Sequence, residues 1–206
     1  MVGDLSYPDP FERLSQALGD LPGVGPKSAQ RIAFYLLSRP VDAVQSLANE
    51  IVSVRGQLHY CSQCFFLAWN QELCKICSDA KRDPQQLMIV AEPRDVIAIE
   101  KSHTYRGYYH VLGGVLSPLH NIGVQDLRLP ELQVRLQKES HIKELIFALA
   151  QSVEAEATRN YITQSADLSC FTLTQLATGL PVGGDLDYID ALTLGQALRQ
   201  RVSVAH

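Results

Sequence analysis

Two Cys-x-x-Cys pairs, Cys61-Ser-Gln-Cys64 and Cys74-Lys-Ile-Cys77, stand nine residues apart and restrict this chain more than any other feature. Four thiolates in two facing knuckles make the closed tetrahedral set that a structural zinc ion takes. The stretch from Phe65 to Leu73 is too short to build a core. The metal is therefore expected to hold it, one zinc per chain, since binding free energy is folding free energy in such small units. Two disulfides or a redox pair are the alternatives. The N-terminal Met-Val-Gly-Asp-Leu-Ser-Tyr-Pro does not resemble a secretory leader, which predicts a reducing, intracellular setting. A redox centre needs one such pair, not two in tandem. His59 could replace a thiolate but is expected to be a bystander. Cys170, in the apolar run from Leu168 to Leu173, is expected to pack as a small core hydrophobe.

With 206 residues, 46% of them apolar and 19% charged, the chain has material for one or two globular domains. Its formal charge of −4 argues against coating nucleic acid by bulk positive charge. Any phosphate contact has to come from a local basic patch, or from a ring of subunits that gathers weak sites. No apolar run approaches the length needed to span a bilayer, so no membrane contact is expected. No internal repeat or low-complexity tract interrupts the pattern.

Residues 9 to 18 open like a helix, with Asp9 as expected cap, Pro10 in the first turn, and Phe11, Leu14 and Leu18 on one face before Gly19. Leu21-Pro-Gly-Val-Gly-Pro-Lys-Ser-Ala-Gln-Arg31 follows. Pro22, Gly23 and Gly25 predict a tight turn that leaves backbone amides bare at the start of a second helix. Ala29, Ile32, Ala33, Leu36 and Leu37 recur at helical spacing, which puts Lys27 and Arg31 on the opposite face. Two cations beside bare amides at a positive dipole end suit a phosphate. The stretch resembles a helix-hairpin-helix motif, a module that grips the sugar-phosphate backbone without reading sequence. Gly23, Gly25, Lys27 and Arg31 are its candidate DNA contacts. The plainer alternative is an αα-hairpin with two solvated cations.

A third helix is predicted over 41 to 58, with Val44, Leu47, Ala48, Ile51, Val54 and Leu58 inward. Phe65, Phe66 and Trp69 are expected to form a miniature core around the metal, with stacking on single-stranded bases as the alternative. Beyond Asp83-Pro84, buried strands are predicted at 87–91, 108–112, 145–149 and 168–173. They alternate with helices near 94–101, 130–140, 154–164 and 189–200. That alternation predicts a mostly parallel sheet covered on both faces, with chemistry sought in the loops after Ala91 and Leu149.

Those loops resemble the Toprim domain of primases, topoisomerases and some nucleases. The chain as a whole is similar to the RecR family of bacterial recombination mediators. The likeness rests on the hairpin, the cysteine pairs, Pro93-Arg-Asp-Val96, Tyr105-Arg-Gly-Tyr-Tyr-His110, Leu116-Ser-Pro-Leu119 and Gly179-Leu-Pro-Val-Gly-Gly-Asp-Leu-Asp-Tyr188. The expected fold is an α/β Toprim-like domain preceded by an all-α helix-hairpin-helix unit and a small four-cysteine zinc finger. Expected boundaries are 1–56 for the DNA-binding region, 57–80 for the zinc finger, 84–180 for Toprim and 181–206 for a C-terminal oligomerisation segment. The resemblance implies a DNA-encircling homo-oligomer, usually a tetramer, in the cytoplasm with the nucleoid. It also implies work with RecO and RecF to load RecA at single-stranded gaps.

Catalytic Toprim enzymes place a glutamate at the end of the first strand and an Asp-x-Asp pair after a later one. Here Ala91 falls at the first place, with Glu92 next, and Ala150 and Ser152 fall at the second. Alanine and serine cannot supply the carboxylates that hold magnesium, so no enzyme is expected. A metal-dependent Toprim nuclease or topoisomerase-like enzyme is the alternative, and a zinc-stabilised scaffold without a nucleic-acid role is a third. The surviving Glu92 and Glu154 are candidates for meeting the RecO partner. Asp185 and Asp187 lack any phosphate-cradling loop elsewhere, so Asp187 or Asp190 is expected to cap the last helix, whose Leu192, Ala197 and Leu198 pack on the sheet or on a neighbouring subunit.

Overall fold

The computed structural model describes residues 6–177, 179–180, 183 and 185–201. Contacts divide the chain into two compact units, Met1–Leu58 and His59–His206.

In the first unit, α1 (Asp9–Gly19) and α2 (Pro26–Leu37) pack as a helix pair, and α3 (Val41–Gln57) follows. Pro8 occupies the N-cap of α1 and Asp9 is its first helical residue, without a side-chain cap bond. The expected Asp9 cap is thus displaced by one position, because Pro8 already holds the extended backbone that a cap needs. The core is thin. Phe11 is buried against Phe34 at a ring-centroid distance of 4.5 Å, Tyr7 lies 4.7 Å from Phe11, and Ala29 and Ala33 let the helices approach. The stripe expected to face inward on α3 does not: no residue of that helix is buried, and Ile51 is 65% exposed. Period 3.6 identifies a stripe but says nothing about what lies over it.

In the second unit a four-stranded parallel sheet has the order β4-β3-β5-β6, from β3 (Asp83–Val90), β4 (Gly107–Val111), β5 (Glu144–Ala148) and β6 (Thr172–Gln175). Helices α4 (Pro93–Glu100), α5 (Leu129–Lys138) and α6 (Val153–Ser165) connect the strands, and α7 (Ala191–Arg199) ends the described chain. The short strands β1 (Leu58–Tyr60) and β2 (Leu67–Trp69) form a separate ribbon that carries the cysteine pairs.

Successive strand residues point to opposite faces, and here that alternation sorts the core into two clusters. Leu87 and Ile89 of β3, with Leu145 and Phe147 of β5, pack on Leu129, Leu132 and Leu136 of α5 and Ile162 of α6. Met88 and Val90, with Tyr109 and Val111 of β4, pack on Val96 of α4 and on Cys61, Cys64, Ala68, Cys74 and Ile76. The ribbon therefore covers part of one sheet face where an α/β protein ordinarily lays a helix. A segment expected to hang on its metal alone shares the sheet's core.

Three further expectations change. The last strand begins at Thr172, four residues later than predicted, because Leu168 fills the core from a loop. Cys170 in that loop is exposed, not a core hydrophobe. Phe65 and Phe66 pack against the second cluster as expected, whereas Trp69 is 59% exposed. Asp190 caps α7, accepting the Leu192 and Thr193 amides at 3.0 and 2.9 Å, while Leu192 is 81% exposed. Pro181, Val182 and Gly184 of the glycine-rich segment, and 202–206 of the expected oligomerisation segment, lie outside the described residues.

Candidate nucleic-acid interface and metal centre

The turn between α1 and α2 is built as its residues dictate. Gly23 has φ +81°, the left-handed region where a side chain is strained, and Gly25 is the extended N-cap of α2, with Pro26 in the first position. No side chain caps α2. The Val24 amide turns inward to the Leu21 carbonyl at 3.0 Å, while those of Gly23, Gly25, Lys27 and Ser28 have no acceptor among the described residues. Lys27 and Arg31 are exposed one helical turn apart, and neither forms an ion pair among the described residues. Bare amides, a positive helix end and two unpaired cations at one turn form a surface on which a phosphate can be held.

The four cysteine sulfurs lie within 4.8 Å of one another, and none is in a disulfide. Cys64 Sγ and Cys74 Sγ are 3.5 Å apart, close to the roughly 3.8 Å that tetrahedral Zn–S bonds of about 2.3 Å require. The Cys74 amide donates to Cys61 Sγ at 3.3 Å and the Cys77 amide to Cys74 Sγ at 3.5 Å, which favours thiolates. Crowding sets the thiols against each other. Cys61 is driven far below the usual thiol range, first by Cys64 and then by Cys74 and Cys77. Cys64 and Cys77 are driven well above it, each first by Cys61. Cys74 comes to about 7, with Cys61 pushing it up and Cys64 and Cys77 pushing it down. A divalent cation at the centre resolves that conflict by letting all four ionise. His59 is engaged elsewhere, with Nε2 2.9 Å from the Gln71 carbonyl.

Sequence reasoning missed how this centre is fastened to the sheet. The Val111 amide of edge strand β4 donates to the Cys64 carbonyl at 2.9 Å. Arg135, with its side chain only 6% exposed, donates from Nη1 to the Tyr109 carbonyl at 2.7 Å and to the Gln63 carbonyl at 3.3 Å, and from Nε to Glu139 at 3.0 Å. The signal was present: Arg135 lies on the same stripe of α5 as Leu132 and Leu136, and a cation on an apolar stripe must have buried partners. Beside it His110 is fully buried, with Nε2 2.8 Å from the Arg128 carbonyl and the Phe65 ring edge-on at 5.3 Å. Burial drives its pKa down to about 3, so it is neutral. A second buried network joins Arg82 to Glu100, to which the Tyr109 hydroxyl donates at 2.6 Å, and to the Gly107 carbonyl at 2.8 Å. Gly107 is required there, because a Cβ would lie 2.3 Å from the Tyr105 hydroxyl.

At the carboxyl end of β5 a cleft of about 600 Å³ is lined by Ala150, Ser152, Glu156, Arg159, Gln175 and Arg199 among others. Ser152 caps α6, accepting the Ala155 amide at 3.1 Å, and Glu156 faces Arg159 at 3.4 Å. Glu154 is half-buried in the first turn of α6. Glu92 lies at the carboxyl end of β3 in a capping box with Asp95, whose carboxylate accepts the Glu92 amide at 2.8 Å, and its own carboxylate meets Arg94 at 2.8 Å. Both carboxylates at that strand end are thus committed to a helix start and a cation. Among the described residues the four cysteines are the one group that brings three or more potential metal ligands together. No helix among those residues is long and apolar enough to cross a membrane.

Comparison with known proteins matches residues 11–55 to the RecR helix-hairpin-helix family, 85–177 to the Toprim domain and 179–202 to the RecR C-terminal family. The protein named recombination protein RecR from Bifidobacterium longum subsp. infantis is 46% identical over 197 residues, covering 96% of this chain and 98% of its own. Its namesake from Acidothermus cellulolyticus is 46% identical over 195 residues, 95% and 97% of the two chains. That from Synechococcus elongatus is 45% identical over 196 residues, 95% and 96%.

Proposed function

Because the chain belongs to the RecR family of recombination proteins, we propose that it is a DNA-binding recombination mediator without catalytic activity of its own. The observation that carries this reading is the turn at Gly23 to Arg31, where, among the described residues, four amides lack acceptors and two exposed cations lack ion pairs. Lys27 and Arg31 neutralise phosphates, while the amides of Gly23 and Gly25 take their oxygens. Backbone amides and two cations do not read base edges, so binding follows the phosphates and not the sequence.

One zinc ion, held by Cys61, Cys64, Cys74 and Cys77, supplies the positive charge that lets four buried thiolates coexist. It serves structure alone, since four protein ligands leave no open position. We take residues 1–56 as the DNA-binding region, 57–80 as the zinc finger, 84–180 as the Toprim domain and 181–206 as the oligomerisation segment. A homo-oligomer, a tetramer in this reading, closes around DNA, so that weak hairpin sites on several subunits act together despite the net negative charge. It works in the cytoplasm with RecO and RecF, to bring RecA onto single-stranded gaps, and Glu92 and Glu154 are the side chains we assign to the RecO contact. The Toprim domain is kept for its shape, because Ala150 and Ser152 stand where metal-holding carboxylates would be needed.

Fluorescence anisotropy of a labelled duplex, titrated at several salt concentrations, tests the reading together with a nicking assay on supercoiled plasmid in magnesium. The expected result is binding that weakens steeply with salt and no nicking. Salt-independent binding, or magnesium-dependent nicking lost on Glu92→Gln or Glu154→Gln, overturns it.

A further inference from the structure

Between the first knuckle and α5 lies a groove of about 450 Å³ that the DNA-binding reading does not use. Its floor is apolar. Phe65 comes from the knuckle, while Pro130 and Val134 lie one turn apart on α5, and Val134 is 47% exposed. The volume is in the range of clefts that take a few side chains.

The charges around this floor do not balance. Glu131 is paired with Arg128 at 3.0 Å, and Glu139 with Arg135 at 3.0 Å. Lys138, next along the Pro130–Val134 row, has no ion pair among the described residues. Arg135 keeps one nitrogen unused: Nε and Nη1 are bonded, but Nη2 is buried without an acceptor. A buried donor left unpaired is uncommon and calls for an oxygen to complete it. Both acidic side chains on the groove are thus committed, while one cation and one guanidinium donor are not. The uncompensated charge is positive, in a chain whose total is −4.

We propose that this groove docks an extended peptide of a partner protein that places an aspartate or glutamate beside a leucine or phenylalanine. The apolar side chain rests on Phe65, Pro130 and Val134. The carboxylate meets Lys138 at the rim and draws the buried Nη2 of Arg135 toward it, which completes that donor. A nucleic-acid backbone is a poorer occupant, because it presents a row of phosphates and no apolar group for the floor. The site is separate from the hairpin turn, so it can fail while the DNA reading stands.

Anisotropy of the full-length protein with a fluorescein-labelled decapeptide containing Leu-Asp-Phe-Asp, alongside its amide twin Leu-Asn-Phe-Asn, tests this. The acidic peptide is expected to bind at least about tenfold more tightly than the twin. Val134→Glu is expected to weaken it about tenfold or more and Lys138→Gln about threefold, while Gln137→Glu on the solvent side of the same helix leaves it unchanged. Light scattering of Val134→Glu accompanies the titration. No binding of the acidic peptide, equal binding of the twin, or unchanged binding by Val134→Glu overturns the proposal. So does a change in oligomer size in Val134→Glu, which assigns the groove to a second copy of the chain.

Discussion

The hairpin unit and the sheet unit of this chain solve stability in opposite ways. The first leans on a small aromatic cluster of Tyr7, Phe11 and Phe34 and on two alanines that let helices approach, and it leaves a 17-residue helix with nothing buried. The second has two buried clusters, one on each face of a parallel sheet, and draws the cysteine-bearing ribbon into one of them. The difference teaches where binding and scaffold reside. The surface suited to phosphate sits on the lightly packed unit, where few side chains constrain it, and the cysteines sit where many contacts hold them.

Disrupting the proposed zinc site breaks the comparison most severely. A chelator, or Cys64→Ala, is expected to unfold the ribbon and to loosen the sheet face beneath it, since Cys64 packs with Met88, Val90 and Val111. Zinc-binding free energy in small units is on the order of 10 kcal/mol. Circular dichroism melts should therefore lose the main transition, and limited proteolysis should cut first between Cys61 and Cys77. A ribbon that came apart alone, with the sheet's melt unchanged, would show that the shared cluster carries little.

Core truncations come next in size. Leu145→Ala, fully buried in the first cluster, is expected to cost about 2–5 kcal/mol and Phe11→Ala about 3–5 kcal/mol. Each should lower a different unfolding step in a denaturant titration followed by tryptophan fluorescence and by far-ultraviolet circular dichroism. Coincident shifts in a single step would mean that the two units unfold as one.

Acid sharpens the contrast further, because the sheet unit holds a fully buried imidazole. His110 titrates near 3 when folded, against an ordinary value near 6.5. Above about pH 6.5 both states are neutral and this contribution is full. Between about 6.5 and 3 the unfolded chain takes up a proton that the folded chain refuses, so stability falls as pH falls, by up to about 4 kcal/mol at pH 3. The His110→Asn variant, compared with the parent in denaturant titrations from pH 7 to 4, should have a flatter profile.

Much of this was legible from spacing. Two cysteine pairs nine residues apart predicted the sulfur cluster, and Pro22, Gly23, Gly25 and Pro26 predicted an uncapped helix start with Lys27 and Arg31 outside. Alternating apolar runs predicted a parallel sheet. What the pattern could not supply was the partner of each apolar face. The stripe on α3 reads like a buried one yet faces outward, and Cys170 sits in an apolar run that the chain uses as a loop. The ribbon read as too small for a core because its core belongs to residues that come later, from Met88 to Val111. Such long-range sharing leaves no local mark, apart from single oddities such as Arg135 on an apolar stripe.

The smallest change in stability tests the central claim most directly. Lys27 and Arg31 are exposed, with no ion pair among the described residues, so Lys27→Ala with Arg31→Ala should alter stability by no more than about 0.5 kcal/mol. Duplex binding by the parent and the double variant, measured by anisotropy across salt, should differ in both affinity and slope. The logarithmic salt slope is expected to become shallower by about 2 per engaged subunit, with the melting curve unchanged. Equal affinity and equal slope in a folded double variant would contradict the account and remove the hairpin turn from DNA binding.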